Sequence, residues 1–387
     1  MEGRPQRVAF MLLPGLDHFT PDLIAGMSSA SLEVRPFHVR TIADLTAACA
    51  WADDPAQDVI WFEFCWPPFP AMIAANDFGG RRVMLRVHRI EAYETRHAAT
   101  APWAKIDDVI VVSAHMASVL KAEVPALAQS TALHVVHNGV DTERFSPPEH
   151  PPTHADPFRI GWCGALILRK NPVMALEILH HLRREDPRWH LHLCAKGGER
   201  VAIESFNHLK RCLGLDEAVR LDGDIPASDM PAWHACNAVL LSTCLHESFG
   251  YAIAEAASCG CDIAMLDQPG ADEFWPAQMR FATMQGAARL IRAGQPGRWR
   301  GLVQQHFSLQ RQIGTLRRLL QPDPSPPNTL RIGASDDLLE ILPTAAASIE
   351  LALRPADEME AATFLLETMG YIRAGRGKAS LLYQLRQ

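Results

Sequence analysis

Two carboxylates, Glu247 and Glu255, stand on either side of a short glycine-containing stretch within His246–Gly260 (His-Glu-Ser-Phe-Gly-Tyr-Ala-Ile-Ala-Glu-Ala-Ala-Ser-Cys-Gly). From Phe249 or Gly250 to Ser258 the residues are good helix formers, so a helix is expected to start just after Glu247 and stop near Gly260. A helix start exposes unpaired N–H groups and partial positive charge. The amides of Ser248, Phe249 and Gly250 therefore form a candidate clamp for an anion or a hydroxyl. Glu247 would lie in the loop and Glu255 in the second helical turn, facing the same cleft. Carboxylates accept from sugar hydroxyls while amides donate to phosphate, so the pair suits a polyhydroxylated, phosphorylated ligand. The same spacing also fits an ordinary helix cap, and only the surrounding chain discriminates.

Other residues carry compatible chemistry. Arg169 and Lys170 precede an amphipathic helix expected over Val173–Arg184, and a guanidinium fork plus an ammonium at a helix start suits a diphosphate. Two solvated loop cations are the plain alternative. His88 falls just beyond a strand expected over Arg82–Val87, where a side chain can reach a crevice. Gly15, Asp17 and His18 occupy the loop after the first strand, Gly15 as a donor-side candidate and the other two on the acceptor side. Asp222-Gly-Asp224 invites a metal reading, but no third oxygen ligand is signalled nearby and a strand-to-turn role explains it. Cys259-Gly-Cys261 has no second ligand pair, so zinc is not expected either.

The elements that must position these residues follow from periodicity. Apolar runs at Arg7–Leu13, Asp58–Phe64, Arg82–Val87, Val109–Val112 and Leu133–His137, with helical stretches between several of them, predict a doubly wound parallel sheet. Pro21 suits the first turn of a helix starting near Asp22. Asn138-Gly139 reads as a turn, and residues 150–157 have linker composition. A second alternating set follows, with strands at Phe158–Gly164, Trp189–Ala195, Ala218–Leu221, Ala238–Ser242 and Cys261–Leu266. Helices are expected over Glu199–Leu213 and Ala227–Cys236. The strand ending at Ser242 delivers the chain into the Glu247 turn. The organisation is thus two α/β domains, 1–150 and 151–302. A helix is expected over 303–321. After Gln321-Pro-Asp-Pro-Ser-Pro-Pro-Asn328 comes an appended unit, 322–387, read as strand 330–332, helix 336–346, strand 348–353, helix 357–373 and strand 380–385.

The 387 residues suffice for two domains of ordinary size, and 48% hydrophobic with 21% charged residues describes a globular protein with substantial cores. A net charge of −7 without a basic block argues against nucleic acid as partner. The nine cysteines are scattered and mostly inside apolar runs, as in a reduced interior. No apolar run approaches a membrane span. A cytoplasmic location is expected, with a peripheral position at the membrane left open.

Three separated signatures agree: His137-Asn-Gly-Val-Asp-Thr-Glu-Arg-Phe145, Gly164 followed by Lys170, and Glu247-Ser-Phe-Gly250 followed by Glu255. Over residues 5–321 the chain resembles the retaining glycosyltransferases of family 4, whose GT-B fold sets two Rossmann-like domains across a cleft. The resemblance implies a nucleotide-diphosphate sugar as donor, a saccharide, lipid-linked or small-molecule acceptor, no cofactor and no metal. It implies that Glu247 contacts the donor sugar near its anomeric carbon, that amides 248–250 and Glu255 hold the donor, with Glu255 on the ribose, that Lys170 neutralises the diphosphate and that His88 flanks the sugar. It also implies that the helix over 303–321 crosses back toward the first domain. One position departs. The family pattern has Arg directly after the glycine, and here Ala165 stands there, so Arg169 is expected to substitute. The appended unit is a further departure, read as a contact to acceptor, membrane or another protomer, or as a stability cap. A nucleotide-sugar isomerase of the same fold and a catalytically silent nucleotide-sugar-binding protein are the rival readings.

Overall fold

The computed structural model describes residues 4–15, 19–125, 127, 131–148 and 156–321, and from 329 to 385 the backbone of four strands. Two six-stranded parallel sheets organise it. The first contains β1 (Gln6–Leu12), β2 (Leu32–His38), β3 (Val59–Phe62), β4 (Arg82–Arg86), β5 (Asp108–Val111) and β6 (Ala132–Val135), in the order β2-β1-β3-β4-β5-β6. Every residue of β3 and β5 is buried, as a parallel sheet covered on both faces requires. Strand β2 was not expected. Its Glu33, Arg35 and Pro36 are exposed and interrupt any apolar run, and it lies at the sheet edge, where proline is tolerated.

The second sheet contains β7 (Arg159–Cys163), β8 (His190–Cys194), β9 (Val219–Gly223), β10 (Val239–Ser242), β11 (Asp262–Leu266) and the short β12 (Arg280–Phe281), in the order β12-β11-β10-β7-β8-β9. The chain builds outward from β7 to β9, then returns to add β10 on the other side of β7. The crevice beyond the carboxyl ends of β7 and β10 is therefore a topological switch point, the place where open α/β sheets bind ligands. Lys170 follows β7 and Glu247 follows β10, which fixes both at that crevice.

Gly139 plays a different part from the turn expected of it. Its φ is not left-handed. A Cβ there would lie 2.4 Å from the Ser308 carbonyl oxygen, so glycine is needed for close approach of two backbones. Val140 donates to Phe307 O at 2.9 Å and Leu309 donates to Val140 O at 2.8 Å. The helix Leu309–Leu320 then packs on the helix Pro21–Met27, where Arg317 donates to the carbonyls of Gly26, Met27 and Ser28.

In the tail, β13 (Thr329–Ile332), β14 (Ser348–Ala352), β15 (Tyr371–Arg376) and β16 (Ser380–Leu385) form one sheet in the order β13-β14-β16-β15. The expected helix over 357–373 is corrected at its end: Tyr371–Arg373 is strand, because β15 pairs antiparallel with β16 and this pairing overrides local helix preference. The remainder of that helix, and the one expected over 336–346, lie outside the described residues.

Candidate functional site

Strand β10 leads into a loop over Thr243–Phe249, and the helix Tyr251–Ser258 begins after Gly250, whose φ of +84° is the left-handed conformation that glycine tolerates. Phe249 anchors the loop. Its ring is buried among Phe274, Trp275 and Phe307, and its carbonyl accepts from Trp275 Nε1 at 3.1 Å. The first backbone amide of the helix to find an acceptor is that of Ile253, which donates to Gly250 O. Among the described residues the amides of Ser248, Phe249 and Gly250 therefore have no acceptor, and neither do those of Tyr251 and Ala252, which the sequence reading missed. Five donors converge at one helix start.

Facing them is a compact charge cluster. The Glu247 carboxylate accepts a short hydrogen bond from Lys170 Nζ, and Arg169 Nη1 stands 3.5 Å from the same oxygen. Lys170 is delivered by a single 3-10 turn, Leu168–Lys170, closed by Asn171 at φ +49°, whose side chain caps the Met174 amide at 3.4 Å. The Lys170 carbonyl is fixed by Thr243 Oγ1 at 2.9 Å, and Thr243 in turn accepts from Trp162 Nε1 at 3.0 Å. Gly164, at φ +149°, lies alongside the Lys170 stem. Burial works against ionisation of Glu247, but Lys170, then Arg169 and Arg89, outweigh it and hold the carboxyl below its usual range. Burial likewise opposes the Lys170 charge, and Glu247 overcomes it, raising the ammonium. Both groups are charged at neutral pH, so a bound anion would find a cation already in place.

Arg169 is held by the loop it faces, with Nη1 donating to His246 O at 2.9 Å and lying 3.3 Å from Cys244 Sγ. Its guanidinium is thus part of the cluster, as a substitute for the cation missing at Ala165 must be. The Glu255 carboxylate lies 3.6 Å from Nε2 of the fully buried His234, whose two ring nitrogens have no hydrogen-bond partner.

His88 caps the first turn of the helix Arg89–Tyr93. Its backbone N–H donates to Glu91 Oε2 at 2.8 Å, its Nε2 lies 2.9 Å from Glu63 O, and its ring stacks on Phe64 at 4.9 Å. Phe19 joins the two halves, with its ring 5.7 Å from that of His88 and 6.3 Å from that of Tyr251 at the donor-rich helix start. Beneath His88, the buried Glu63 accepts from Trp61 Nε1 and Arg86 Nη1, each at 3.0 Å. Gly15 is exposed at φ +85° and no contact brings it to the cluster; Asp17 and His18 lie outside the described residues.

Further contacts close the cleft and were not read from the sequence. The Tyr93 ring lies 4.2 Å from that of His246. Glu273 accepts from the amides of Ala114 and His115 at 2.7 and 3.1 Å, capping the helix Ala114–Glu123 of the first domain, and lies 3.0 Å from His137 Nε2. Arg89 was missed although it follows His88 directly; it bonds Glu94 at 2.6 Å and its charge is felt at Glu247 and His246. Among the described residues no group of three or more His, Cys, Asp or Glu side chains is arranged to hold a metal ion. No described helix is long and apolar enough to cross a membrane. A separate concavity, lined by Pro147, Trp189, Cys236 and Arg292 among others, shares no residue with the cluster.

Two parallel-sheet domains, with a cation and a carboxylate at the switch point of the second, have the GT-B fold. Residues 157–293 match the family model described as Glycosyl transferases group 1. The chain is 27% identical over 235 residues to the GDP-mannose-dependent alpha-(1-6)-phosphatidylinositol monomannoside mannosyltransferase of Mycolicibacterium smegmatis, a match spanning 56% of this chain and 60% of that protein. It is 28% identical over 151 residues to one component of the Homo sapiens phosphatidylinositol N-acetylglucosaminyltransferase, covering 38% of this chain and 29% of that one. The chain thus spans less than two thirds of the length of these relatives. In fold it is similar to Anabaena HepE, solved with UDP and glucose (TM-score 0.65, 14% identity, 81% of this chain and 99% of that one). Sucrose-phosphate synthase of Thermosynechococcus elongatus is similar to the same degree (TM-score 0.65, 15% identity, 81% and 99%).

Proposed function

We propose that the chain transfers a sugar from a nucleotide-diphosphate donor to an acceptor, with retention of configuration and without a metal. The observation that carries this reading is the Lys170–Glu247 pair beside five unpaired helix-start amides at the switch point. Negative charge grows on the diphosphate as the glycosidic bond breaks, and fixed donors aimed there lower the barrier. Lys170, Arg169 and the amides supply the compensating positive charge, which is the role a divalent cation would otherwise take. Glu247, engaged by Lys170, is a poor nucleophile and serves instead to accept from sugar hydroxyls. Transfer on one face then follows: the acceptor oxygen bonds to the anomeric carbon as the donor C–O bond breaks, and the leaving phosphate oxygen takes the acceptor proton. Glu255 holds the ribose and His88 flanks the sugar from the first domain. We take 1–150 as the acceptor-side domain, 151–302 as the donor domain, 303–321 as the returning helix and 322–387 as an addition.

For the acceptor, a lipid-linked molecule fits best. Ile90, Tyr93, Leu168 and Leu245 are all exposed, and Leu168, Leu245 and Tyr93 adjoin Arg169 or His246; the two relatives above act, by name, on phosphatidylinositol compounds. Thermal-shift measurements against UDP, GDP and ADP test the donor half, since a ligand that binds only the native state raises the melting temperature. One of the three is expected to shift it, and a flat response to all of them would sink the reading. Free nucleotide diphosphate released only when acceptor is added separates transfer from isomerisation of the donor.

A further inference from the structure

We propose that Cys163 and Cys194 are a redox-active thiol pair at the floor of this cleft, and that their oxidation to a disulfide switches off nucleotide binding. The two residues end strands β7 and β8 and are direct partners in the parallel register. Neighbouring strands run about 4.8 Å apart, and register partners point to one face of the sheet. That spacing lies inside the roughly 4.4–6.8 Å separation of Cα atoms that a disulfide spans. Both thiols are free, and each is close enough to the other to shift its ionisation. The Cys194 thiol meets only a long contact, 3.7 Å to Met230 Sδ, whereas the Cys261 thiol is spent on the carbonyls of His234 and Asn237 at 2.7 and 3.2 Å.

The pair is placed to matter. Cys163 precedes Gly164, and its thiol feels the charges of Glu255 and Lys170. The Gly164 amide donates to Cys194 O at 3.0 Å, so both strand ends meet at the left-handed glycine beside the Lys170 stem. A disulfide draws its Cβ atoms to about 3.8 Å, closer than side-by-side strand positions ordinarily lie. Closing it would pull the two strand ends together under Gly164 and displace Lys170 from the diphosphate position. Such a bond is under tension and is readily reduced again.

Chemistry assigns the order of attack. The neighbouring Cys163 thiol is the main influence drawing Cys194 down to about 7, so its thiolate is present at neutral pH, while Cys163 is pushed up. With a low-molecular-weight disulfide as oxidant, the Cys194 thiolate attacks one sulfur and expels a small thiolate. The Cys163 sulfur then attacks Cys194 Sγ, expels the second small thiolate and gives up its proton to it. Two protein thiols and one small disulfide become one protein disulfide and two small thiols.

The bridge does not depend on the functional reading; its effect on nucleotide binding does, and the two are measured separately. The native full-length chain is treated with oxidised glutathione, remaining thiols are alkylated, and peptides are mapped by mass spectrometry. A Cys163–Cys194 crosslinked peptide, two hydrogens lighter than the free pair and lost on adding dithiothreitol, is expected. The variant C163S should stop at glutathione bound to Cys194, and C194S should give neither. Glutathione on the exposed Cys212 with no crosslink at 163 and 194 would overturn the pairing. At least a tenfold loss of affinity for whichever of UDP, GDP or ADP the reduced protein binds is expected on oxidation, with no such loss in C194S compared before and after oxidant. Crosslinking with unchanged affinity would overturn the switch, whereas reduced protein that binds none of the three would count against the transferase reading and leave the crosslink result standing.

Discussion

Removing the ammonium beside Glu247 tests the centre of the site. In Lys170→Met the carboxylate, 16% exposed, loses its closest cation while Arg169 remains 3.5 Å from the same oxygen. Breaking a fully buried ion pair by deleting one partner costs about 3–5 kcal/mol. Here Lys170 is 23% exposed and a second cation stays, so a loss of about 1–3 kcal/mol is expected after discounting for solvent. Glu247→Gln should cost about 1–2 kcal/mol, because the freed ammonium can reach water. The double variant should be less destabilised than the sum by about 1–2 kcal/mol. In domains of this size 1 kcal/mol corresponds to about 2–4 °C in melting temperature, so tryptophan-monitored melts resolve the cycle. The pH dependence gives a second readout. A carboxyl held below its unfolded value, near 4.3 for Glu, contributes its full stability above that pH. It loses that contribution as pH falls through the lower folded value. In Lys170→Met burial is less opposed, and this acid loss should shrink. Turnover should fall roughly 100- to 1,000-fold, the usual effect of deleting one donor to developing charge. Additivity within about 0.5 kcal/mol, or a Lys170→Met melt equal to wild type between about pH 4 and 8, would refute the coupling.

Glu91, beneath the His88 turn, is driven the other way, since burial raises it to about 7 and the neighbouring His88 only partly opposes this. The folded state then binds more protons than the unfolded one between about pH 4.3 and 7, so stability falls as pH rises through that window by roughly 2–3 kcal/mol, and melts of Glu91→Gln should be flatter there. Gly139→Ala places a Cβ 2.4 Å from a backbone oxygen that cannot yield, so a loss of about 1–3 kcal/mol or more and faster proteolysis at the helix Leu309–Leu320 are expected; unchanged cleavage would contradict the close-approach role. Glu273→Ala removes the cap that the second domain places on the helix Ala114–Glu123, worth about 0.5–2 kcal/mol, and small-angle scattering should report a larger radius of gyration with nucleotide binding little altered.

The sequence made the strand-helix alternation legible because parallel strands buried on both faces appear as unbroken apolar runs, as in Val59–Phe62 and Val239–Ser242. Strand β2 escaped because an edge strand buries only alternate residues. The Glu247 loop was readable since its glycine and helix formers are local signals. Arg89, His246 and Glu273 were not, because their meaning arises only when the two domains face each other. Gly139 shows the same limit: a turn glycine and a close-approach glycine look alike until the neighbouring backbone at Ser308 is known.

That neighbouring backbone also sets the mechanics of the cleft. The chain passes between the domains at two adjacent points, near Val140 and near Ser308, and the pair is laced by two hydrogen bonds. A lone tether would allow one half to swivel and twist on the other, whereas two laced tethers behave as a leaf hinge with a single axis. A swing about that axis would carry His88 away from Glu247 and return it in the same register, so the strap sets the path along which the surfaces joined by Glu273 and Phe19 meet.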